Sequence, residues 1–220
     1  TYGLSELPGQ REVIAKSTRV ANPGCYATSI SLAIAPALEL IDIKDIVVVA
    51  ASGTTGAGRS AKVNLLGSEV MGSLSSYKFG GVHQHTPEIE EALSRTAGSD
   101  VKISFTPILA PMPRGILSTV TAKLTATATT ETVHAIYTTA YSADEFVTVL
   151  PIGQMPKTNS VVGSNHVHLQ VAVDPHTNRL IVSAVIDNLG KGAASQAIQN
   201  ANLICGLPEN TGLATLGLGV

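Results

Sequence analysis

The chain has 220 residues, of which 44% are hydrophobic and 14% are charged, and its formal net charge is −2 at pH 7. This length and apolar content suffice for a folded domain with a hydrophobic core. The net charge is slightly negative and the sequence has no run of Lys or Arg, so we expect no nucleic-acid partner. The apolar runs are too short to span a membrane and the first residues lack a signal-peptide pattern, so we expect no membrane partner and a cytoplasmic location. The two cysteines make no disulfide framework and are interpreted as thiols.

The first predicted helix begins at a cysteine. Residues 1–21 form an irregular opening, and the Pro23-Gly24 turn that follows is succeeded by a run rich in Ala, Ser, Ile and Leu. This order predicts a helix that starts at Cys25. We expect Pro36 to kink that helix or to end its first segment, because proline lacks the N–H group that helix interiors need.

Cys25 therefore occupies the first turn of a helix. The unpaired N–H groups and the helix dipole favour a thiolate there, which predicts a lowered pKa and a nucleophilic sulfur. Cysteine is also common as inert core packing, and position alone weighs the two interpretations equally. Cys205 falls at the C-terminal end of the last predicted helix, where a thiolate is disfavoured. Of the two cysteines, Cys25 is the reactive candidate.

A glycine-rich loop follows the first strand. Residues 45–51 are apolar and rich in β-branched side chains, which predicts a strand buried on both faces. The loop contains Ser52, Gly53, Gly56, Ala57, Gly58 and Arg59. Its Gly-x-Gly-x-x-Ala spacing matches a dinucleotide fingerprint in form, but no strand ending in an acidic residue follows about twenty residues later. We interpret the loop as a backbone-amide cradle for a phosphate or amide group, with a plain glycine-rich turn as the alternative.

Two histidines, His83 and His85, precede a helix that Pro87 opens and that Thr86 is expected to cap. In an extended segment residues two apart share a face, so both imidazoles can point into one cleft. Beside Cys25, either histidine would supply the acid or base that thiol chemistry needs. A metal site and ordinary surface histidines are alternatives of similar weight.

The remaining elements complete an α+β pattern. Strands are predicted at residues 101–106, 116–125, 146–150, 165–173 and 180–186, and helices at residues 130–141 and from about 194 to a stop at Gly206. This order predicts a mixed, largely antiparallel sheet with helices packed on one face.

Further polar residues lie along these elements. Arg114 follows a proline-rich connection and is either a salt-bridged surface residue or a fork for a carboxylate or phosphate. Arg59, in the glycine-rich loop, is a second candidate anion ligand. His166 and His168 share one face of a predicted strand, where a half-buried polar face is favoured over a ligand pair.

Four motifs in one order carry a resemblance to a known family. They are Asn22-Pro23-Gly24-Cys25-Tyr26, Ser52-Gly53-x-x-Gly56-Ala57-Gly58-Arg59, His83-x-His85-Thr86-Pro87-Glu88-Ile89 and Asp187-Asn188-Leu189-x-Lys191-Gly192-Ala193-Ala194. With them the chain resembles N-acetyl-gamma-glutamyl-phosphate reductase, essentially from end to end. Two positions depart from that pattern: Ala27 stands where the family usually has Pro, and Gln84 where Arg is common.

The resemblance implies a fold like the C-terminal domain of glyceraldehyde-phosphate dehydrogenase. It implies NADPH-dependent reduction of the acyl phosphate N-acetyl-glutamyl 5-phosphate to the 5-semialdehyde in arginine biosynthesis. It makes Cys25 the thioester-forming nucleophile and His83 or His85 the acid/base group, with a slight preference for His83. It places residues 52–58 and Asn188 at the nicotinamide end of NADP(H). Arg59 and Arg114 are our candidates for binding substrate anions, and a homodimer or homotetramer is the expected assembly.

The resemblance also implies that the amino-terminal dinucleotide-binding half of such a reductase is not in this sequence, so the chain alone can be inactive. We expect residues 1–190 to form a catalytic and dimerisation domain, and residues 191–220 to pack against that absent half.

Two other functions stay open. One is a metal-dependent hydrolase built on paired histidines, and the other is a non-catalytic oligomerisation or binding domain. The hydrolase would use His83, His85, His166, His168 and Glu88.

Overall fold

A seven-stranded mixed sheet lies at the centre of the protein in a computed structural model, which describes residues 1–219. The strands are β1 (Ile41–Ser52), β2 (Ser75–Ser76), β3 (Ile103–Leu109), β4 (Ile116–Leu124), β5 (Val147–Val149), β6 (Val167–Asp174) and β7 (Arg179–Ile186). Their order in the sheet is β2-β3-β1-β4-β7-β6-β5. β1 runs parallel to β3 and β5 runs parallel to β6, whereas the other neighbouring pairs are antiparallel. The predicted mixed, largely antiparallel sheet is confirmed.

The helices cover one face of this sheet. They are α1 (Gln10–Ala15), α2 (Cys25–Ile34), α3 (Gly67–Val70), α4 (His85–Ala97), α5 (Thr130–Ala140) and α6 (Ser195–Ile204). α2 packs on β4 and β7, α4 on β3, and α5 on β6. Within the described residues, none of the helices has the length and apolar composition needed to cross a membrane.

The opposite face of the sheet is open. In β1, Ile46, Val48 and Ala50 are buried beneath the helices, whereas Val47 and Val49 are 37% and 42% exposed. The prediction that this strand is buried on both faces is wrong. β-branched residues suit a strand whichever face they occupy, so a continuous apolar run does not reveal how many faces are covered.

Helix α2 ends as the sequence predicts. It stops at Ile34 and continues as a 3₁₀ turn at Ala35–Ala37, which contains Pro36. Proline cannot donate the hydrogen bond that the carbonyl of Leu32 would receive in a continuing α-helix. The Tyr141 hydroxyl donates to that carbonyl instead.

The C-terminal helix packs onto the beginning of this same chain. α6 contacts α1, and the ammonium of Lys191 is fully buried in an ion pair with Glu6, 2.5 Å away. The division of the chain between residues 190 and 191 stays a prediction. The packing of residues 191–220 against another domain stays a prediction for the outer surface of α6.

Candidate active site

A cavity of about 500 Å³ opens at the N-terminal end of α2. Three parts of the chain surround it: the start of α2, the loop after β1 and the segment between residues 62 and 85. Seven of the predicted site residues line it, namely Cys25, Ser52, Gly53, Gly56, Ala57, His83 and His85. The lining does not include Gly58, Arg59, Arg114 or Asn188. The structure thus brings the candidate nucleophile and both candidate bases together.

Cys25 is the first residue of α2, after Gly24 in an extended conformation. Burial raises the pKa of the Cys25 thiol above its usual value, and the charge of Glu88 acts in the same direction. The backbone amides of Cys25 and Tyr26 favour the thiolate and oppose this effect without cancelling it. The predicted lowering of the pKa is therefore not found, because desolvation of a half-buried thiol outweighs the helix start.

His85 lies directly against Gly24, the residue that precedes Cys25. A methyl group built on Gly24 would lie 2.3 Å from His85 Nε2, so only glycine allows this approach. The imidazole belongs to the first residue of α4 rather than to an extended loop. The predicted capping by Thr86 is wrong, since its hydroxyl is buried without a hydrogen-bond partner and Gln84 occupies the N-cap position.

His83 packs behind His85. The two ring centroids are 4.8 Å apart, and the backbone amide of His85 donates to His83 Nδ1 at 3.1 Å. In the neutral ring, an acceptor at Nδ1 leaves the proton on Nε2. The His83 ring also makes edge contacts with Tyr26, Tyr77 and Phe105, which fix its orientation.

Both imidazoles are neutral at neutral pH. Burial lowers the pKa of His83 to about 4, with contributions from His85 and Lys78. Burial also lowers the pKa of His85, helped by Lys78 and opposed by Glu88. A neutral imidazole can accept a proton, so either ring meets the first requirement of a general base.

Glu88 fixes the residue before the nucleophile. Its carboxylate accepts hydrogen bonds from the Gly24 amide at 2.8 Å and from the Tyr2 hydroxyl at 3.0 Å. Sequence reasoning considered Glu88 only as a metal ligand. Its spacing of three residues from His85 on α4 was the available signal, because residues three apart share a helix face.

The glycine-rich loop does not present free amides. The amides of Gly53, Thr54 and Thr55 donate to the carbonyls of Gly115, Met112 and Pro113, respectively. The amides of Gly56 and Gly58 donate within the loop itself. The proposed amide cradle is therefore not supported at these five positions. The glycine at 53 instead allows a close approach, since a methyl there would lie 2.9 Å from the backbone of residues 112–114.

Asn188 hydrogen-bonds to this loop, whereas the Arg114 side chain is paired elsewhere. The Asn188 carbonyl oxygen accepts from the Gly115 amide at 2.7 Å, and its amide nitrogen donates to the Thr55 hydroxyl at 3.0 Å. The Arg114 guanidinium forks onto the fully buried carboxylate of Asp187, with contacts of 3.1 and 2.6 Å. Arg114 is thus engaged in an internal ion pair.

The cations that line the cavity are different from the predicted ones. Lys62 and Lys78 line it, and Lys78 donates to Gln84 at 2.9 Å. Arg59 is exposed and lies outside the lining. The preference for Arg59 rested on its place in the loop motif, which does not tell which side chains turn inward.

The second histidine pair lies on another part of the sheet. His166 and His168 have ring centroids 6.3 Å apart, and His166 contacts Phe146. Both rings are half-buried, as the favoured interpretation predicts. Among residues 1–219, no group of three or more His, Cys, Asp or Glu side chains is arranged to hold a metal ion. The hydrolase alternative therefore has no ligand set in this part of the chain.

This chain is similar in sequence to known proteins over nearly all of its length. The family model described as semialdehyde dehydrogenase, dimerisation domain, matches residues 25–188. The chain is 59% identical over 220 residues to an N-acetyl-gamma-glutamyl-phosphate reductase of Acidothermus cellulolyticus and 56% identical over 219 residues to that of Pseudarthrobacter chlorophenolicus. Each match covers 99% of this chain but only 64% of the relative, so the chain spans somewhat less than two thirds of the length of these relatives.

Solved structures with the same fold have much lower sequence identity. Aspartate semialdehyde dehydrogenase II from Vibrio cholerae superposes with a TM-score of 0.72 at 18% identity, covering 92% of this chain and 67% of that one. A probable aspartate-semialdehyde dehydrogenase from Pseudomonas aeruginosa gives 0.71 at 17% identity, covering 93% and 68%. At such identities the likeness concerns the fold alone.

Proposed function

The chain belongs to the semialdehyde dehydrogenase dimerisation-domain family, and from this premise we propose that it is the catalytic portion of an N-acetyl-gamma-glutamyl-phosphate reductase. The reaction is the NADPH-dependent conversion of N-acetyl-glutamyl 5-phosphate to the semialdehyde, in arginine biosynthesis. Relatives with that name are 54–59% identical to this chain over nearly all of its length. The proposal extends their activity to the longer protein of which this sequence would be part.

One observation carries the mechanism: His85 Nε2 lies against Gly24, the residue that leads into Cys25. Burial raises the pKa of the thiol, so few sulfur atoms are ionised at neutral pH. The neutral His85 imidazole lies against the residue directly before Cys25, and in this proposal it takes the thiol proton as the sulfur attacks. We therefore assign His85 as the general base, which reverses the slight preference for His83.

In the first chemical step, the Cys25 sulfur bonds to the acyl carbon of the substrate and the thiol proton passes to His85. The bond between that carbon and the phosphate oxygen then breaks, phosphate leaves, and an acyl thioester on Cys25 remains. Cys25 and Tyr26 open α2, and amides at a helix start suit the stabilisation of an oxyanion at the attacked carbonyl.

The residues beside Cys25 fit the nicotinamide end of NADP(H). Ser52, Gly53, Gly56 and Ala57 form a cavity wall of small side chains, which leaves room for a flat ring. A methyl on Gly56 would lie 2.8 Å from Ser52 Oγ, so the backbone needs glycine there to keep this wall in place. When bound, the cofactor supplies the hydride that reduces the thioester. Asn188 would support this wall through Thr55.

The cavity also suits an anionic substrate. Lys62 and Lys78 lie in its lining, and one carboxylate, Glu69, accompanies them. Ammonium groups attract phosphate and carboxylate as point charges. We propose these two lysines, in place of Arg59 and Arg114, as the groups that attract the acyl phosphate.

The open sheet face is the proposed surface for self-association. Val47, Val49 and Leu117 are exposed on it, on the adjacent strands β1 and β4. Burial of such apolar side chains between two copies is favourable. We propose a homodimer or homotetramer assembled through this face, as the dimerisation-domain description of the matching family suggests.

Acylation by acetyl phosphate tests the proposal on this chain. We expect one acetyl group on Cys25, detected by intact mass and peptide mapping and released by hydroxylamine, as a thioester is. Cys25→Ser should abolish the adduct, whereas Cys205→Ser should retain it. A hydroxylamine-resistant adduct, or equal labelling of both cysteines, would contradict the proposal. A non-catalytic binding domain would show no selective acylation at all.

A further inference from the structure

The segment that packs behind Cys25 is a π-helical turn, Gly190–Ala194. The amides of Gly192 and Ala194 donate to carbonyls five residues earlier, those of Asp187 and Leu189, at 2.9 and 3.0 Å. Such turns are rare and often occur at functional sites. This one connects β7 to α6 and lies outside the cavity lining.

Gly192 touches the nucleophile. A methyl group built on it would lie 2.7 Å from Cys25 Cβ and 3.2 Å from Cys25 Cα. The backbone of Gly192 therefore packs against the cysteine itself, on the side that no larger residue could occupy without displacing it. A hydrogen bond also joins the two segments, since the Asn22 side chain donates to the carbonyl of Ala193 at 3.0 Å.

A buried ion pair anchors the turn at the neighbouring residue. Lys191 Nζ lies 2.5 Å from Glu6 Oε1 and donates to Gln199 Oε1 at 2.8 Å, and both charged side chains are fully buried. Glu6 also accepts from Ser5 at 2.9 Å and from the Gln199 amide at 3.0 Å. The ammonium further lies 5.6 Å from the centre of the Phe146 ring.

Such a pair holds its surroundings in one arrangement. Two charges that are buried away from water are tolerated only when each keeps its partner and its hydrogen bonds. A shift of Lys191 would leave the Glu6 carboxylate buried without its cation, which is strongly unfavourable. Because Lys191 precedes Gly192 in the same turn, the fixed ammonium also fixes the backbone that contacts Cys25.

We propose that the Lys191–Glu6 pair is a positioning device for the nucleophile, which acts on Cys25 through Gly192. The proposal rests on Cys25 as the proposed nucleophile, but it concerns the placement of that sulfur and predicts a property measurable without substrate. Lys191 and Glu6 are positioning residues, since neither lines the cavity.

The test is the alkylation of Cys25 by iodoacetamide as a function of pH, with Cys205 in the same molecule as internal control. Gly192→Ala should slow alkylation of Cys25 about tenfold at pH 8 and move its midpoint to higher pH. The added methyl, 2.7 Å from Cys25 Cβ, displaces the Cys25 side chain from the helix start that favours its thiolate. Cys205 should be unaffected. Gly67→Ala, at a position with no neighbour within 4 Å, is the matched control and should leave both rates unchanged.

Two variants separate positioning from simple stability. Lys191→Met leaves Glu6 buried without its cation and should lower the melting temperature as well as the alkylation rate. The double variant Glu6→Gln, Lys191→Met removes both charges and should recover most of the melting temperature while Cys25 remains slow. If Cys25 reactivity returns with the stability, or if Gly192→Ala alkylates like the wild type, the proposal is overturned. Neither result depends on reductase activity, so failure of the proposed function would appear separately, in the acylation experiment.

Discussion

The two cysteines of this protein lie at opposite kinds of helix end. Cys25 begins α2, is half-buried, and shares a cavity with two histidines. Cys205 caps the C-terminal end of α6 and is exposed. Helix polarity alone would make the first thiol acidic, yet burial raises its pKa. The comparison shows that a helix start does not suffice to lower the pKa of a buried thiol. What Cys25 has in addition is a cavity that it shares with two imidazoles.

The largest expected effect comes from removing each sulfur in the full-length enzyme. Cys25→Ser should lower reductase activity by at least about a thousandfold, because loss of a covalent nucleophile removes a whole reaction route. Cys205→Ser should leave activity unchanged. NADPH oxidation with N-acetyl-glutamyl phosphate gives the measurement, and circular dichroism checks that both variants fold. Comparable losses in both variants would erase the distinction between the two sites.

A smaller effect is expected from the two histidines. His85→Asn should reduce kcat by about a hundredfold, in the range typical of lost general-base catalysis, and His83→Asn by about tenfold, because His83 orients rather than accepts. The pH dependence of kcat gives a second measurement. Since burial lowers the pKa of His85, the acidic limb of the wild-type pH profile should have its midpoint below about 6.5, the ordinary pKa of histidine. That limb should disappear in His85→Asn. A larger loss in His83→Asn, or a limb that stays in the His85 variant, would reverse the assignment.

The smallest effect concerns the wild-type thiol itself. A raised pKa means that less thiolate is present at a given pH, so alkylation of Cys25 should have its midpoint above about 8.5, the ordinary thiol value. Its rate at pH 7 should lie several-fold below that of a free cysteine in a peptide and should approach it as the pH rises through the midpoint. Mass spectrometry of iodoacetamide-treated protein between pH 6.5 and 10 gives the measurement. A midpoint below 7 would mean that the helix start lowers the pKa of the Cys25 thiol by more than burial raises it.

Much of the fold could be predicted from residue patterns. Pro23-Gly24 before an apolar run located the start of α2, and the strands predicted at residues 165–173 and 180–186 correspond to β6 and β7. These signals are local, because each depends on backbone preferences of a few adjacent residues. The number of covered faces of β1 could not be predicted in this way, because it depends on where distant helices pack.

The candidate site divides along the same line. Cys25, His83 and His85 could be chosen by residue type and spacing, and the structure places all three around one cavity. Gly24 and Gly192 could not be singled out, because their importance lies in contacts with residues far away in sequence. The two arginines do not line the cavity: Arg59 is exposed, and Arg114 is paired with Asp187. A motif indicates where a charged residue stands on the chain, but not which way its side chain turns.

The π-helical turn has a consequence for chain length. Its hydrogen bonds close over five residues where an α-helix closes over four, so loss of one residue from Gly190–Ala194 would let it close as an α-turn. Each residue of an α-helix turns the backbone by about 100°, and the residues after the deletion would rotate by that amount. For a deletion of Ala193 or Ala194, the contacts on its two sides, that of Gly192 with Cys25 and that of Gln196 with the Gly3 carbonyl, could then not both be kept. This stretch is therefore constrained in its count of residues as strictly as in their identity, and single-residue deletions here should be as damaging as substitutions at the nucleophile's own helix start.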